Sequence, residues 1–343
     1  MATVTQKEIA EKLGVTRVLV SRALAGHASV AERTQLLVQE TARELGYHDG
    51  SNAGARALAA RRNGRQVRHG VLACALGQPE LRQHLPYWAQ LQQGVEEAAQ
   101  HAGYRVVLVS GARDCEGSDG LIQHGQFAAE NFTIPVVNLM EKNPLTSSVT
   151  PDNAKGARLA TEHLLQLGHT RIACLMDTNS GLAIFDRVRS WRRSLKRAGV
   201  AVEENWFREL SLDGGDFLER GRWNMEAWLR EDWKKLGCTA LLAQNDRTAI
   251  GAMQALQAAK IRVPHDVSII GFDGTGEGEF STPRLSTIQV PLREIGRASV
   301  EILLRRIESG IEDSESQSAI THRVLPVRLL AGESSGPVRS AAR

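Results

Sequence analysis

Cysteine is scarce in this chain of 343 residues. Cys74, Cys115, Cys174 and Cys238 are scattered, with no CxxC pair and no Cys/His spacing that suits zinc. Three of them lie in or beside apolar, strand-like runs, as buried reduced thiols do, which excludes a disulfide-stapled scaffold and a zinc module. Long apolar runs are missing as well. Nothing approaches the roughly 20 residues that span a bilayer, and no positive-then-apolar segment opens the chain, so a cytoplasmic protein without a membrane role is expected. There is also no phosphate-cradling glycine loop, no metal-ligand spacing and no recognisable Ser/His/Asp or Cys/His set. An enzyme is therefore not expected, and no catalytic residue, metal or cofactor is assigned. His163 and His169, near a helix end, fit structural roles. The tail SSGPVRSAAR carries no leucine heptads, so a tetramer held by a C-terminal coiled coil is not expected either.

What is present begins with an uneven charge. The length allows two or three domains. The net charge of +3 hides an asymmetry: residues 1–68 carry 11 Lys+Arg against 6 Asp+Glu, and the remainder carries 31 against 33. A basic end on a nearly neutral body is the electrostatic footprint of a nucleic-acid-binding module attached to something else.

Within that basic end, TQKEIAEKLGVTRVLVSRAL (5–24) has the spacing of two short helices joined by a tight turn. Ile9, Ala10 and Leu13 recur at helical spacing, as do Val20, Ala23 and Leu24. Gly14 stops the first helix, Val15 is a buried turn residue, and the Thr16 hydroxyl can cap the second helix. This is helix-turn-helix spacing, with Arg17, Val18 and Arg22 facing outward; arginine suits guanine and valine a thymine methyl. An ordinary helical hairpin in a core is the alternative. After a loop at 26–30, residues 31–45 give a third helix with Leu37, Val38, Thr41, Ala42 and Leu45 on one face. Gly46 ends it, and Tyr47 folds back onto the core. Next come a turn-rich DGSN joint, the short helical candidate AGARALAA and the basic run RRNGRQVR, for which a flexible linker is the alternative.

From His69 the rhythm changes to apolar runs alternating with amphipathic helices. Strands are expected at 70–76, 104–110, 134–140, 171–176, 239–244 and 267–272, with helices at 88–103, 154–168 and near 186–199, 217–235 and 246–260. Short unbroken apolar strands between helices indicate an α/β protein of doubly wound parallel sheets covered on both faces. Ligands in such sheets sit beyond the carboxyl ends of the strands, which directs attention to Asp246 and Asp273.

In order, GVTRVLVSRAL, ELGY, PYWAQLQQGVEEAAQHAGY, PDNAKGARLATEHLLQLGHTRIACL, AQNDRTAIGAMQAL, RVPHDVSIIGFDG and TPRLSTIQ together resemble the LacI/GalR family of transcription regulators. The resemblance implies a three-helix headpiece at 1–48, a hinge helix and basic linker at 49–68, and an effector-binding and dimerisation core at 69–343. That core would be periplasmic-binding-protein-like. Its first subdomain would span about 69–150 and 290–320, its second about 151–289 and 321–333. The implied partners are a palindromic double-stranded DNA operator, a small sugar-like effector and a second copy of the chain, with the protein acting as a repressor. A nucleobase-responsive regulator and a regulator with a degenerate pocket are the alternatives within the fold; a solute-binding protein without DNA function is the alternative outside it.

Carried over residue by residue, the resemblance places Arg17, Val18 and Arg22 on base-reading positions and Thr5, Thr16 and Ser21 on or near phosphate-contacting ones. It assigns Asn52, Arg56 and Leu58 to the hinge, where Leu58 would wedge into the minor groove. Arg61, Arg62, Arg65 and Arg68 would track phosphates, a solvated charge run being the alternative. In the cleft, Arg187 matches a ligand-clamping arginine, Asn245 and Asp273 polar contacts, Phe217 an aromatic packing on the ligand face, and Asp152 a carboxylate at the subdomain crossover. For Arg187 and Asp273 the alternative is a structural ion pair.

Four places depart from the pattern. His48-Asp49-Gly50-Ser51 intervenes before Asn52, and Gly54 weakens a hinge helix by about 1 kcal/mol against alanine. Leu19, Ala25 and Ala31 stand where threonine, asparagine and a serine cap are usual, and Gly274 where a second acid is common. Residues 111–133 leave room for one βα unit, not two. The expectation is a helix from Ser118 through Asn131; the alternative keeps Asp119 to Gln123 as a strand.

Overall fold

The computed structural model describes residues 6–24, 30–45, 68–76, 86–110, 112–124, 134–211, 215–309 and 320–339. Thr5, Ala25, Gly46, Tyr47, Asn52, Gly54, Arg56, Leu58, Arg61, Arg62 and Arg65, with the hinge helix, lie outside them.

The N-terminal helices α1 (Gln6–Leu13), α2 (Arg17–Leu24) and α3 (Glu32–Glu44) enclose a small core of Ile9, Ala10, Val20, Ala23, Val30, Val38 and Ala42. Gly14 takes φ +64°, the left-handed turn that ends α1. The Thr16 hydroxyl accepts from Leu19 N at 3.2 Å and so caps α2. On α3, Thr41 and Ala42 are buried beside Val38, and Leu45 packs against them. Leu37 corrects its expected place: it is 53% exposed, because the buried stripe runs through Val38, Thr41–Ala42 and Leu45 and leaves Leu37 on its rim.

Two six-stranded sheets form the rest. The first has the order β11-β5-β4-β3-β1-β2 and is parallel throughout; the second, β12-β10-β9-β8-β6-β7, is parallel except for β12. In chain order the strands are β1 (Val71–Leu76), β2 (Arg105–Leu108), β3 (Gly120–His124), β4 (Val136–Leu139), β5 (Ser147–Pro151), β6 (Ile172–Met176), β7 (Phe207–Glu209), β8 (Ala240–Ala243), β9 (Ser268–Asp273), β10 (Ser286–Gln289), β11 (His322–Leu325) and β12 (Arg328–Leu330). Among the described residues the long helices between them are α4 (Pro86–His101), α5 (Asn153–Gln166), α6 (Leu182–Arg197), α7 (Phe217–Glu231), α8 (Asp246–Ala258) and α9 (Leu292–Ser309), with one further turn of helix at Trp233–Leu236.

The central strands are buried along their length, as unbroken apolar runs covered on both faces must be. Glycine sets the closest helix contacts. A side chain on Gly94 of α4 would meet the Arg293 backbone at the start of α9, and one on Gly296 of α9 would meet Leu91 O. In the second half, Gly221 of α7 and Gly251 of α8 stand in the same relation to Thr248 and Leu218 backbone. Each pair lets two helices approach more closely than a methyl group permits.

Two expectations are corrected. Residues 120–124 are strand, not helix: β3 pairs with β1 on one side and β4 on the other, with Ala73 opposite Leu121 and Ile122 opposite Val137. A short 3₁₀ turn at Ala112–Cys115 precedes it, and Ser118 N bonds to Cys115 O rather than opening a helix. Asp119 then fixes the entry, its carboxylate accepting from the backbone N–H groups of His69 and Gly70 just before β1. Satisfying two ladders outweighs local helix propensity here. The second correction concerns 321–333. Strand β11 pairs with β5 in the first sheet, so the chain returns to the second sheet between Leu325 and Arg328, not near 320.

Three crossovers therefore join the halves: Asp152 between β5 and α5, residues 290–291 between β10 and α9, and residues 326–327 between β11 and β12. They are tied together, since Asp152 N donates to Leu325 O at 2.9 Å and Arg328 Nε to Gln289 Oε1 at 2.6 Å. Among the described residues no helix is long and apolar enough to cross a membrane.

Candidate functional site

A cleft of about 360 Å³ opens between the two halves. From the first come Pro86, Tyr87 and Trp88 at the start of α4, His124 at the end of β3, and Met140 and Glu141 after β4. From the second come Asn153, Ala183, Ile184, Arg187, Phe217, residues 244–247 after β8, Asp273 at the end of β9, and Thr275 and Glu277 after it. Nearly all stand at carboxyl ends of strands or starts of helices, where open parallel sheets bind ligands.

Arg187 is the centre of the second half's wall. Its buried guanidinium donates to Asn153 Oδ1 at 2.9 Å and to Gln244 O at 2.7 Å, and its Cζ lies 3.5 Å from the centroid of the Phe272 ring. One side chain on α6 thus joins α5, the end of β8 and β9. Asp273 lies 3.9 Å from Arg187 Nη2, an ion pair both of whose members line the cleft. Asp273 is held at φ +107°, a conformation that non-glycine residues adopt only under constraint and at a cost of about 1–3 kcal/mol. Burial pushes its carboxyl up to about 8 against the pull of Arg187, and the neighbouring Asp246 adds to the rise.

Asp246 is buried beneath it. Its carboxylate accepts from the Thr287 hydroxyl and from Thr275 N, yet burial still raises it to about 6. Arg247 is engaged by Glu277 at 2.7 Å and by Asp216, which also caps α7 in a reciprocal box with Glu219. On the opposite wall, Tyr87 and Trp88 meet edge to face with centroids 4.9 Å apart. Trp88 meets His124 the same way at 4.6 Å, and burial lowers that imidazole to about 4 and so keeps it neutral. Burial, then the nearby Asp273 charge, raise the Tyr87 hydroxyl. No group of three or more His, Cys, Asp or Glu at metal-holding separation occurs among the described residues.

Residues 161–335 match the family model described as a periplasmic binding protein-like domain. The chain is 27% identical to the HTH-type transcriptional regulator DegA of Bacillus subtilis (strain 168), over 97% of this chain and 98% of that protein. It is 28% identical to the HTH-type transcriptional repressor PurR of Aliivibrio fischeri (strain MJ11), over 90% and 92%. The lac repressor dimer bound to operator and the anti-inducer ONPF superposes with a TM-score of 0.69, 25% identity, and 98% and 100% of the two chains covered. The chain belongs to the LacI/GalR family.

Against the residues expected from that family, Arg187, Phe217, Asn245 and Asp273 all line the cleft. Asn245 does so while its Oδ1 caps α8 by accepting from Thr248 N. Asp152 does not. Its carboxylate accepts from Lys155 N and caps α5, and the neighbouring Asn153 reaches the cleft in its place. In the headpiece Arg17, Val18, Ser21 and Arg22 are exposed together on α2, with Val18 61% exposed and Thr16 just before them. Sequence reasoning did not assign Tyr87, Trp88, His124, Glu141, Asn153, Gln244, Arg247 or Glu277. The pair Tyr87-Trp88 was visible in PYWAQL, where an aromatic pair directly after the first core strand was the available signal.

Proposed function

We propose that this LacI/GalR-family protein is a repressor-type transcription regulator whose affinity for a palindromic operator is switched by a small sugar-like molecule bound in the cleft. The observation that carries the reading is the cleft itself. Tyr87 and Trp88 from the first half and Phe217 from the second line one cavity with Arg187, Asn245 and Asp273, and a sugar presents apolar C–H faces edged by hydroxyls to such a site. Arg187, Phe217, Asn245 and Asp273 are assigned as effector contacts, and Asp152 keeps its expected place at the crossover but caps α5 instead of contacting the effector.

On the DNA side, Arg17, Val18 and Arg22 read bases, with Thr5, Thr16 and Ser21 on phosphates and Asn52, Arg56 and Leu58 in the hinge. The organisation is a headpiece at 1–48, a hinge at 49–68 and a core at 69–343, paired as a homodimer to match operator symmetry. The protein acts in the cytoplasm and by binding rather than catalysis. Ligand closing the cleft alters the three crossovers and hence the spacing of the two hinges, so effector and operator are linked reciprocally.

Selection of duplexes from a random pool by the full chain tests the reading. Enrichment of a palindrome whose binding changes with one class of sugar supports it. A pool with no enriched palindrome contradicts it.

A further inference from the structure

Acidic side chains outnumber basic ones in the lining of the cleft. Glu141, Asp246, Asp273 and Glu277 line it, against Arg187 and Arg247. Both guanidiniums are already engaged. Arg187 donates from Nε to Asn153 and from Nη1 to the Gln244 carbonyl over the Phe272 ring, and Arg247 pairs with Glu277 and Asp216. Two of the carboxylates are not. Asp273 has Arg187 only at 3.9 Å, beyond hydrogen-bond distance. Glu141 is half-buried, and among the described residues it has no ion pair and no hydrogen bond; its carboxylate rests against Gly181 at the start of α6, where the helix offers only a partial positive charge. Both carboxylates and Tyr87 line the same cavity. The buried Thr275 hydroxyl also lines it without a partner among the described residues. Around these groups stand Tyr87, Trp88 and Phe217, whose ring faces attract cations.

Resting on the regulator reading above, we infer that the effector is an amino sugar, recognised through its protonated amine by Glu141, with Asp273 giving up its proton as the amine arrives, beside the aromatic side chains of the cleft, and that phosphorylated sugars are excluded. A neutral sugar satisfies the rings but leaves Glu141 a desolvated charge without a counter-ion. An anionic sugar adds charge to a cleft in which acidic side chains outnumber guanidiniums, and both guanidiniums already face carboxylates.

Calorimetric titration of the full chain with two matched triads tests this: glucosamine, glucose and glucose 6-phosphate, and galactosamine, galactose and galactose 6-phosphate. In at least one triad the amine should bind tighter than its neutral parent by about tenfold, the phosphate should not bind, and added salt should weaken only the amine. The variant Glu141→Gln, checked to melt as a folded protein, should bring the amine-to-parent ratio close to one. The inference is overturned if a neutral parent binds as tightly as its amine, if a phosphate binds, if none of the six binds, or if folded E141Q keeps the preference. Operator selection on the same preparation separates the two levels. An enriched palindrome without amine preference removes the charge assignment alone, and absence of any operator removes the regulator reading itself.

Discussion

The carboxylate of Glu141, carried by the first half after β4, occupies the space that a side chain on Gly181 would fill at the start of α6 in the second half. The two halves meet here across the mouth of the cleft, and the meeting requires that residue 181 have no Cβ. Gly181 also holds φ +113°, a region that disfavours side chains on its own account.

The substitution Gly181→Ala should therefore disfavour the closed arrangement. It adds about 1–3 kcal/mol of backbone strain and displaces Glu141. Effector affinity should fall about tenfold or more, while the circular dichroism of the folded chain is retained. Unchanged effector affinity would show that the contact is incidental to closure.

Arg187→Lys keeps the charge but loses the planar fork that reaches Asn153 and Gln244 O together. Losing these charge-assisted hydrogen bonds should destabilise the core by about 2–4 kcal/mol and abolish the effector-induced rise in melting temperature. Denaturant titration and thermal melting measure the two effects. A variant that melts like the wild type and still responds to ligand would remove Arg187 from the centre of the site.

The buried acids give stability a definite slope with pH. Asp273 is raised to about 8 and Asp246 to about 6, chiefly by burial, whereas in the unfolded chain both ionise near 4. The unfolded state releases these protons first, so each acid contributes a penalty that is absent below about pH 4 and grows as pH rises. It stops growing at about 6 for Asp246 and about 8 for Asp273. The unliganded protein should lose melting temperature between pH 6 and 8, and Asp273→Asn should flatten that slope while weakening effector binding. A slope unchanged in the variant would contradict the assignment.

On the DNA side, Arg17→Ala should cost about 1–3 kcal/mol and relax preference at one base pair per half-site, whereas loss of a phosphate contact weakens all sequences alike. Selection with the variant reads this out. An unaltered motif would place base recognition elsewhere.

How much of this was legible in the sequence follows from where the signals are local. The α2 face is set by helical periodicity and a threonine cap, so Arg17, Val18 and Arg22 were assignable from spacing alone. Asp273 directly follows the buried run of β9, and its place at the cleft is dictated by the parallel sheet. Asp152 stands at the crossover as expected, but its carboxylate caps α5 and Asn153 lines the cleft instead, a choice that depends on how tightly α5 starts. Strand β3 stood only as the alternative to a helix because its stability comes from two neighbours distant in sequence, β1 and β4, and not from its own five residues. The first half's wall was hidden for the same reason. Trp88 and His124 meet only because β1 and β3 are adjacent, which no local pattern records.

The most direct test of the account is a fluorescence-anisotropy titration of the selected operator with the full chain, with and without a saturating amount of the sugar that most raises its melting temperature. Operator affinity should shift by about 5–150-fold, the usual range of coupling between two sites, and the shift should be lost in Arg187→Lys. Operator affinity that stays the same while the cleft is demonstrably occupied would contradict it.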